Sequence, residues 1–350
     1  MNYGFGIVGL GMIADFHAKA ITDMEGGHVA ACYSRSQEKA ETFGKKYGCV
    51  GYSNYKDFLS HQGLDIVSIC TPSGLHLEQT LEAAEAGKHI IVEKPLEVTL
   101  KRCDAMIEGA DRNGVVLAGI FPSRFHDVAA VIKEAVEEER LGRLTLGDAY
   151  VKWFRSQEYY DEGGWKGTWK YDGGGALMNQ SIHAIDLLQW FMGPVATVQA
   201  ATGTLTHERI EVEDTAVAVL TFENGAIGVI EGSTSVYPGF LKRIELSGNR
   251  GSVVLEEEDL KLWQFEEELE TDKDIRDNYL TKTESGGGAS DPSAIGYHGH
   301  QRQFEDFCRA LDEGRYPLVD GREARKSVEI ILAIYESAKS GRRINLPLKE

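Results

Sequence analysis

Hydrophobic positions in the first third of the chain alternate between short apolar runs and amphipathic stretches. Five runs, GFGIVGL, HVAACYS, DIVSIC, HIIVEK and GVVLAGI, are rich in apolar and β-branched residues and predict buried strands. Helical patterns lie between them, such as LHLEQTLEAAEAG, whose final glycine is typical of a helix C-terminus. This alternation up to about residue 120 indicates βαβ units and therefore a parallel sheet.

After RFHDVAAVIKEAVEEERLG the pattern changes to longer runs with a period of two. Stretches such as TLGDAYVKWF and LKRIELSGNRGSVVLEE predict strands, and the Asn-Gly pair in ENGA predicts a hairpin turn. We therefore expect an α/β protein with an N-terminal Rossmann parallel sheet in residues 1–121. Residues 122–350 should form a C-terminal α+β domain with a large, mainly antiparallel, open sheet.

The last quarter of the chain predicts a loop and two closing helices. Residues 271–297 are polar and rich in glycine, without usable periodicity, and this favours a loop. The first helix carries an apolar stripe, and the second should begin after Asp320, whose carboxylate can cap it with Glu323 three residues on. The stripe consists of Phe304, Phe307, Cys308 and Leu311.

Composition narrows the class of protein. With 350 residues the chain exceeds the size at which one core keeps growing, so two domains are expected. The formal net charge of -18, without any Lys/Arg-rich run, argues against nucleic acid and anionic membranes as partners. Its five cysteines form no C-x-x-C pair, which argues against a disulfide framework or a zinc site. The chain starts on a strand pattern and has no run of roughly 18 apolar residues, so we expect a cytoplasmic protein.

A glycine turn follows the first predicted strand. Gly9, Gly11 and Ala14 fit the pattern G-x-G-x-x-[G/A], with Met12 and Ile13 between them. Gly9 permits a tight turn, Gly11 lets the backbone approach a pyrophosphate, and the following helix N-terminus favours the phosphate charge. Because the turn opens a βαβ unit, we predict dinucleotide binding; a purely structural glycine turn is the alternative.

The end of the second strand bears on the choice of nicotinamide cofactor. A carboxylate there usually binds the 2'-hydroxyl of the NAD ribose, but this chain has Ser34, Arg35 and Ser36 instead. Arg35 and the serines could hold a 2'-phosphate, which favours NADP. The alternative is a solvated Arg35 in a protein that binds NAD.

Two further motifs carry candidate chemistry. Glu93, Lys94 and Pro95 follow HIIV directly, so they lie at the carboxyl end of a parallel strand, where open α/β sheets bind ligands. In YDGGGALMNQSIHAIDLLQW, Asn179 and His183 are four residues apart on a predicted helix. The side chains of Asn179, His183 and Asp186 should share one face of that helix, whereas Leu177, Met178, Ile182, Ile185 and Leu188 pack elsewhere.

The motifs GLGMIA, TPSGLH, VEKPL and GGGALMNQSIHAIDLL, in this order, resemble the glucose-fructose oxidoreductase / inositol dehydrogenase (Gfo/Idh/MocA) family over essentially the whole chain. The resemblance implies a nicotinamide-binding Rossmann domain and a second domain whose open sheet commonly forms a subunit interface. It further implies that Lys94 is a catalytic lysine and His183 the general acid/base. By the same likeness, the neighbours of the nicotinamide ribose and ring are Thr71, Pro72, His76 and Glu93.

This chain departs from many dehydrogenases of the family at Asn179, where they have an aspartate. An amide can orient a substrate hydroxyl but cannot take its proton, so more of the chemistry falls to His183 and Lys94. The predicted reaction is reversible oxidation of a secondary alcohol on a sugar, cyclitol or sugar derivative. His183 removes the hydroxyl proton, Lys94 stabilises the developing alkoxide, and Asn179 orients the substrate.

An aromatic-rich segment precedes the predicted catalytic helix. We expect Trp165 to line the substrate pocket, with Arg124 as a polar partner, although packing is the alternative for any single aromatic residue here. His298 and His300 have no carboxylate or cysteine partner at ligand spacing in the sequence, so no metal is predicted.

Two other functions remain open at this stage. The first is an NAD-dependent glycosidase of the same fold, which would release an aglycone without net reduction of the cofactor. The second is a non-catalytic, cofactor-bound sensor. An exposed sheet face would suit a homodimer or homotetramer in either case.

Overall fold

A computed structural model of the chain describes residues 2–280 and 296–349. The chain divides into two compact units, residues 1–125 with 296–328 and residues 126–295 with 329–350. The sequence pattern assigns residues 296–328 to the second domain, whereas they belong to the first unit. The reason is visible in the core of that unit, where Phe304 meets Phe5 edge to face with ring centroids 5.7 Å apart.

The first unit is built on a six-stranded, fully parallel sheet in the order β3-β2-β1-β4-β5-β6. This confirms the Rossmann-type sheet, and the strand order places the carboxyl ends of β1 and β4 side by side. Its strands are β1 (Tyr3–Val8), β2 (Gly27–Tyr33), β3 (Val50–Tyr52), β4 (Ile66–Ile69), β5 (His89–Val92) and β6 (Leu117–Gly119).

Helices connect these strands as the amphipathic patterns predict. They are α1 (Met12–Asp23), α2 (Gln37–Tyr47), α3 (Tyr55–Leu59), α4 (His76–Glu85) and α5 (Leu100–Arg112). The stripe of α10 (His298–Glu313) buries Phe304, Phe307 and Cys308. The predicted cap of α11 (Gly321–Ser340) is confirmed, because the Asp320 carboxylate accepts the Glu323 N–H at 2.8 Å.

The second unit contains an eight-stranded sheet in the order β13-β12-β11-β7-β10-β9-β8-β14. Only the β7–β10 pair is parallel among its described pairs, so the mainly antiparallel sheet is confirmed. The predicted ENGA hairpin joins β9 to β10. The strands are β7 (Leu144–Lys152), β8 (Val195–Gly203), β9 (Thr215–Phe222), β10 (Ile227–Ser233), β11 (Arg243–Gly248), β12 (Gly251–Glu256), β13 (Asp259–Phe265) and β14 (Ile344–Asn345).

The helices of the second unit include one that the sequence pattern missed. Besides α6 (Asp127–Glu137), α7 (Gln157–Asp161) and α8 (Ile182–Met192), the chain forms α9 (Glu270–Tyr279). The prediction of a loop from residue 271 is therefore wrong for this helix; residues 281–295 of that loop lie outside the described residues. The start of α9 is held by Asp272, whose carboxylate accepts the Leu269 N–H and pairs with Arg140, each at 2.7 Å. Arg140 is 132 residues from Asp272, and the bond from Leu269 involves a backbone N–H. Local side-chain periodicity therefore reveals neither interaction.

The segment before α8 also differs from a regular helix. Residues Ala176–Ser181 form a π-helical turn, and the α-helix begins only at Ile182. A π-helical turn holds more residues than an α-helical one, so the α-helical spacing of Asn179 and His183 does not apply across it. The predicted packing residues are nonetheless buried, namely Leu177, Met178, Ile182, Ile185 and Leu188. None of the helices among the described residues is long and apolar enough to cross a membrane.

Candidate active site

The glycine turn after β1 has the geometry that a dinucleotide requires. Gly9 has a φ of +87°, and a Cβ there would lie 2.7 Å from the Thr71 side chain, so only glycine fits. At Gly11 an added Cβ would meet no protein atom within 4 Å, so the backbone at the start of α1 is open to a ligand. Ala14 is fully buried behind it. This cradle fits the pyrophosphate of a nicotinamide dinucleotide.

The loop after β2 presents the predicted ribose-binding residues. The Ser34 hydroxyl accepts the Ser36 N–H at 3.2 Å, and the Ser36 hydroxyl accepts the Lys39 N–H at 3.3 Å to cap α2. The Arg35 side chain is exposed. The loop is therefore ordered by its serines, while Arg35 projects a positive charge at the surface next to them.

His76 joins the two loops that the family resemblance assigns to the nicotinamide. Its Nε2 lies 2.9 Å from the Thr71 carbonyl, and its Nδ1 lies 3.1 Å from the Pro95 carbonyl. The side chain is fully buried. The Thr71–Pro72 loop after β4 and the Lys94–Pro95 loop after β5 are thus fixed to each other. The Lys94–Pro95 peptide is cis.

Glu93 organises the backbone that carries Lys94. Its Oε2 accepts the Lys94 N–H at 3.1 Å, and its Oε1 accepts from His17 Nε2 at 2.8 Å. The other ring nitrogen of His17 lies 2.7 Å from the Ser68 hydroxyl. Nε2 of His300 lies 3.8 Å from Glu93 Oε1. Buried hydrogen bonds that link Ser68, His17 and Glu93 therefore hold the Glu93–Lys94 segment in place.

The charges of the Glu93 and His17 side chains stabilise each other. Burial raises the pKa of the Glu93 carboxyl, but the hydrogen bond and positive charge of His17, with His300 and Lys94, lower it to about 2. Burial lowers the pKa of His17, whereas Cys70 and Glu93 raise it to about 10. Both shifts favour an imidazolium–carboxylate pair of His17 and Glu93.

Among the described residues, the side chains of His17, Glu93 and His300 have the mutual spacing of metal ligands. Donor atoms of His17, Glu93 and His300 lie within 4.8 Å of one another. No carboxylate stands at ligand spacing beside His300 in the sequence, but the structure brings Glu93, which is distant in sequence, to 3.8 Å from His300 Nε2. Two of these candidate ligand atoms, His17 Nε2 and Glu93 Oε1, are already joined by a hydrogen bond.

In the second unit, Asn179 is held by a buried aspartate. Its Nδ2 donates to Asp172 Oδ1 at 2.8 Å, and Asp172 Oδ2 accepts the Gly167 N–H at 2.8 Å. Asp172 is only 2% exposed. The amide orientation of Asn179 is thus set by the loop that precedes the π-helical turn.

A second carboxylate holds the backbone at the entry to that turn. Glu213 accepts the N–H groups of Gly175 and Leu177 at 3.0 and 2.9 Å, and the Tyr335 hydroxyl at 3.0 Å. Its own carbonyl accepts the Ala176 N–H at 3.1 Å. Three consecutive backbone N–H groups therefore end on one residue. Burial raises the pKa of the Glu213 carboxyl to about 7, against the opposing effect of these donors.

The remaining predicted residues lie in different surroundings. His183 is partly buried, whereas Asp186 is 1% exposed. Trp165 is partly exposed. Arg124 is 2% exposed and donates to Glu323 at 3.2 Å within the first unit. The roles of Arg124 and Trp165 as substrate contacts stay predictions.

Sequence reasoning missed the residues that support the site from behind. His17 and Glu213 lie outside the quoted motifs, and their hydrogen-bond partners are up to 122 residues away, as Tyr335 is from Glu213. Asp172 lies inside the quoted glycine-rich stretch, seven residues before its partner Asn179. The one available signal was a polar side chain inside an apolar pattern, as with His17 in the first helix. Such a signal marks a buried polar group without naming its partner.

Comparison with known proteins identifies the family. Residues 3–121 match the oxidoreductase family with an NAD-binding Rossmann fold, and residues 130–254 match the GFO/IDH/MocA C-terminal domain. The chain is 33% identical to the WlbA dehydrogenase of Bordetella pertussis, solved in complex with NADH and UDP-GlcNAcA. That match has a TM-score of 0.90 and covers 99% of both chains.

Two curated relatives agree with this match. The uncharacterized oxidoreductase YrbE of Bacillus subtilis is 30% identical over 71% of this chain and 72% of its own length. The myo-inositol 2-dehydrogenase of Thermotoga maritima is 25% identical over 97% of this chain and 98% of its own. The chain therefore belongs to the Gfo/Idh/MocA family of NAD(P)-dependent oxidoreductases.

Proposed function

We propose that the protein transfers hydride between a nicotinamide cofactor and a secondary alcohol or ketone of a sugar, cyclitol or sugar derivative. The observation that carries this proposal is the buried support of Glu93, which fixes the backbone of Lys94 at the carboxyl end of β5. Support for the substrate class comes from two relatives, one named for myo-inositol and one bound to UDP-GlcNAcA. Both ligands contain a polyhydroxylated ring.

The chain's own residues divide the work as follows. His183 accepts the proton of the substrate hydroxyl and returns it in the reverse direction. The ammonium group of Lys94 stabilises negative charge on the substrate oxygen. Asp172 fixes the Asn179 amide by accepting a hydrogen bond from Asn179 Nδ2. Asn179 Oδ1 is assigned to accept a hydrogen bond from the substrate. The bound nicotinamide supplies the hydride-accepting carbon.

A substrate screen tests this function. The purified protein would be incubated with NAD⁺ or NADP⁺ and a panel of cyclitols, aldoses, uronates and nucleotide sugars, with absorbance followed at the wavelength of reduced nicotinamide. Reduction of the cofactor by at least one polyhydroxylated alcohol is expected. Cofactor binding without reduction across the whole panel would contradict the proposal and would favour a sensor.

We expect the cofactor-stripped protein to bind NADP⁺ more tightly than NAD⁺, because Arg35 presents a positive charge beside Ser34 and Ser36. Isothermal titration with both dinucleotides measures the preference directly. Arg35→Ala should weaken NADP⁺ binding by about tenfold, in line with loss of one charge-assisted hydrogen bond, and leave NAD⁺ binding unchanged. Lys39→Ala, which removes an exposed lysine in the adjacent first turn of α2, serves as the control. Tighter NAD⁺ binding by the unsubstituted protein would show that Arg35 does not select the cofactor.

The open sheet of the second unit has an exposed apolar face, which we propose as a subunit interface. Leu146, Val217, Val219 and Ile227 are between 39% and 54% exposed, and strand register brings them onto one face. Sedimentation velocity should show a homodimer or homotetramer of the 38.6 kDa chain. Val219→Lys should dissociate it, whereas Val50→Lys, at a similarly exposed valine in β3, should not. A monomeric unsubstituted protein would contradict this interface.

A further inference from the structure

A cationic and aromatic cluster in the second unit has no role in the mechanism above. It consists of Arg155, Tyr159, Lys166 and Gln180, and we name it the Tyr159 cluster. Lys166 Nζ lies 3.8 Å from the centroid of the Tyr159 ring and donates to the Tyr159 carbonyl at 3.0 Å. The guanidinium carbon of Arg155 lies 5.6 Å from the same ring centroid. Gln180 Nε2 donates to the Tyr159 hydroxyl at 3.2 Å, so three polar side chains converge on one ring.

Arg155, one of the buried members of this cluster, is held in place by hydrogen bonds. Arg155 is 5% exposed, and its N–H donates to the Thr234 carbonyl at 2.8 Å. Nε2 of His207 lies 2.8 Å from the Arg155 carbonyl, and its Nδ1 lies 3.1 Å from the buried Asp214 carboxylate. Arg155 Nη1 donates to the Phe154 carbonyl at 2.8 Å. Both ends of the residue are thereby anchored, which fixes the guanidinium before any ligand arrives.

The charges of the Tyr159 cluster favour an incoming anion. Burial and the positive charge of Arg155 lower the pKa of Lys166, although the carboxylates of Glu162 and Asp172 act in the opposite direction. The two oxygens of Asp172 accept hydrogen bonds from Gly167 and Asn179. A carboxylate or phosphate that reached Lys166 and Arg155 would form charge-assisted hydrogen bonds with both cations.

The Tyr159 cluster adjoins the residues assigned to the substrate. Gln180 follows Asn179 in the π-helical turn, and Asp172, which contributes to the charge around Tyr159 and Lys166, holds the Asn179 amide. Gln180 is 4% exposed, and among the described residues its Oε1 has no hydrogen-bond partner. A buried acceptor without a partner costs stability unless a ligand supplies the donor. A substrate hydroxyl would satisfy it.

We propose that the substrate carries an anionic substituent, a carboxylate or a phosphate, that Arg155 and Lys166 bind at the Tyr159 cluster. This deepens, and rests on, the hydride-transfer function proposed above. The preferred substrates are accordingly acidic sugar derivatives rather than neutral sugars or cyclitols. Arg155 and Lys166 determine specificity and leave the proton transfer to His183.

The test is calorimetric titration of the cofactor-saturated protein with matched pairs of ligands. The pairs are D-glucuronate against D-glucose, D-glucose 6-phosphate against D-glucose, and UDP-glucuronate against UDP-glucose. The first and third pairs isolate the carboxylate, and the second isolates the phosphate. The acidic member of at least one pair should bind about tenfold more tightly or better, as expected for charge-assisted contacts.

Lys166→Met removes the charge but keeps the apolar stem, and it should abolish most of that difference. Lys170→Met is the control, because Lys170 is an exposed lysine that lies over the neighbouring Tyr171 ring instead. Arg155→Met should act in the same direction as Lys166→Met, and the Lys166 variant decides the matter if Arg155→Met does not fold. Equal affinities within every pair, no binding of any acidic ligand, or a preference that survives Lys166→Met would each overturn the inference. Cofactor reduction is read separately, so a failure of hydride transfer is distinguishable from a failure of anion binding.

Discussion

Lys94→Ala and His183→Ala are each expected to lower kcat by about 10²- to 10⁴-fold, the range that positioned general acid–base and electrostatic groups contribute. Dinucleotide affinity should stay within about threefold of the unsubstituted protein, since neither side chain belongs to the glycine turn of Gly9 and Gly11. The two variants remove different functions. His183→Ala removes the proton acceptor, and Lys94→Ala removes positive charge near the substrate oxygen.

Three measurements check these roles. Steady-state kinetics give kcat, titration gives the dinucleotide dissociation constant, and a substrate deuterated at the reacting carbon reports whether hydride transfer limits the rate. The pH dependence of kcat should lose one ionisation in His183→Ala. His28→Ala and Lys101→Ala, at exposed positions in the first unit, are the controls. Turnover near that of the unsubstituted protein in either active-site variant would remove that residue from the proposed mechanism.

The parts of the fold that were predictable from sequence depend on local periodicity. Runs such as HIIV and the glycine turn at Gly9 report strand and turn geometry directly, because each pattern is satisfied within a few residues. The apolar stripe of α10 was equally visible. A stripe does not say which sheet it packs on, so the contact of Phe304 with Phe5 could not be predicted.

The unpredicted parts of the site depend on hydrogen-bond partners that lie outside the local helix or strand pattern. Asp172 and Asn179 are seven residues apart across a loop, and Glu213 is 36 residues from Leu177. The π-helical turn belongs to the same group. A run of apolar and small residues after Gly173–Gly175 fits an α-helix and a π-helix alike, and hydrogen bonds to Glu213 from the preceding loop help to fix its start.

At pH 8, where the Glu213 carboxyl is ionised, Glu213→Gln is expected to lower kcat by about tenfold and to destabilise the second unit by about 1–3 kcal/mol, the cost of leaving a buried donor without an acceptor. The amide keeps the size of the carboxyl group but replaces one acceptor oxygen by a donor. That donor faces the N–H groups of Gly175 and Leu177 or the Tyr335 hydroxyl, so at least one of the three hydrogen bonds is lost. Because these bonds fix the backbone before the π-helical turn, hydrogen exchange should increase across residues 175–183.

Two matched variants separate this positioning role from a general loss of stability. Glu211→Gln alters an exposed carboxylate two residues away that accepts the Trp169 N–H, and it should leave kcat unchanged. Tyr335→Phe removes one donor and keeps the carboxylate, so its effect should be smaller than that of Glu213→Gln. Unchanged exchange and unchanged kcat in Glu213→Gln would contradict the assignment of Glu213 as a positioning residue.

The raised pKa of Glu213 makes the free energy of unfolding depend on pH, and the sign of that dependence can be worked out. Since the pKa is about 7 in the folded protein and the ordinary value is 4.5, the protonated form is favoured by folding. This contribution to stability is complete below about pH 4.5 and is lost as the pH rises through about 7, a change of about 3 kcal/mol. Glutamine does not titrate, so the stability advantage of the unsubstituted protein over Glu213→Gln should be largest near pH 5 and shrink towards pH 8. Denaturant unfolding across this range measures it. A difference that is constant with pH would mean that Glu213 is ionised throughout, because its three donors would then outweigh its burial.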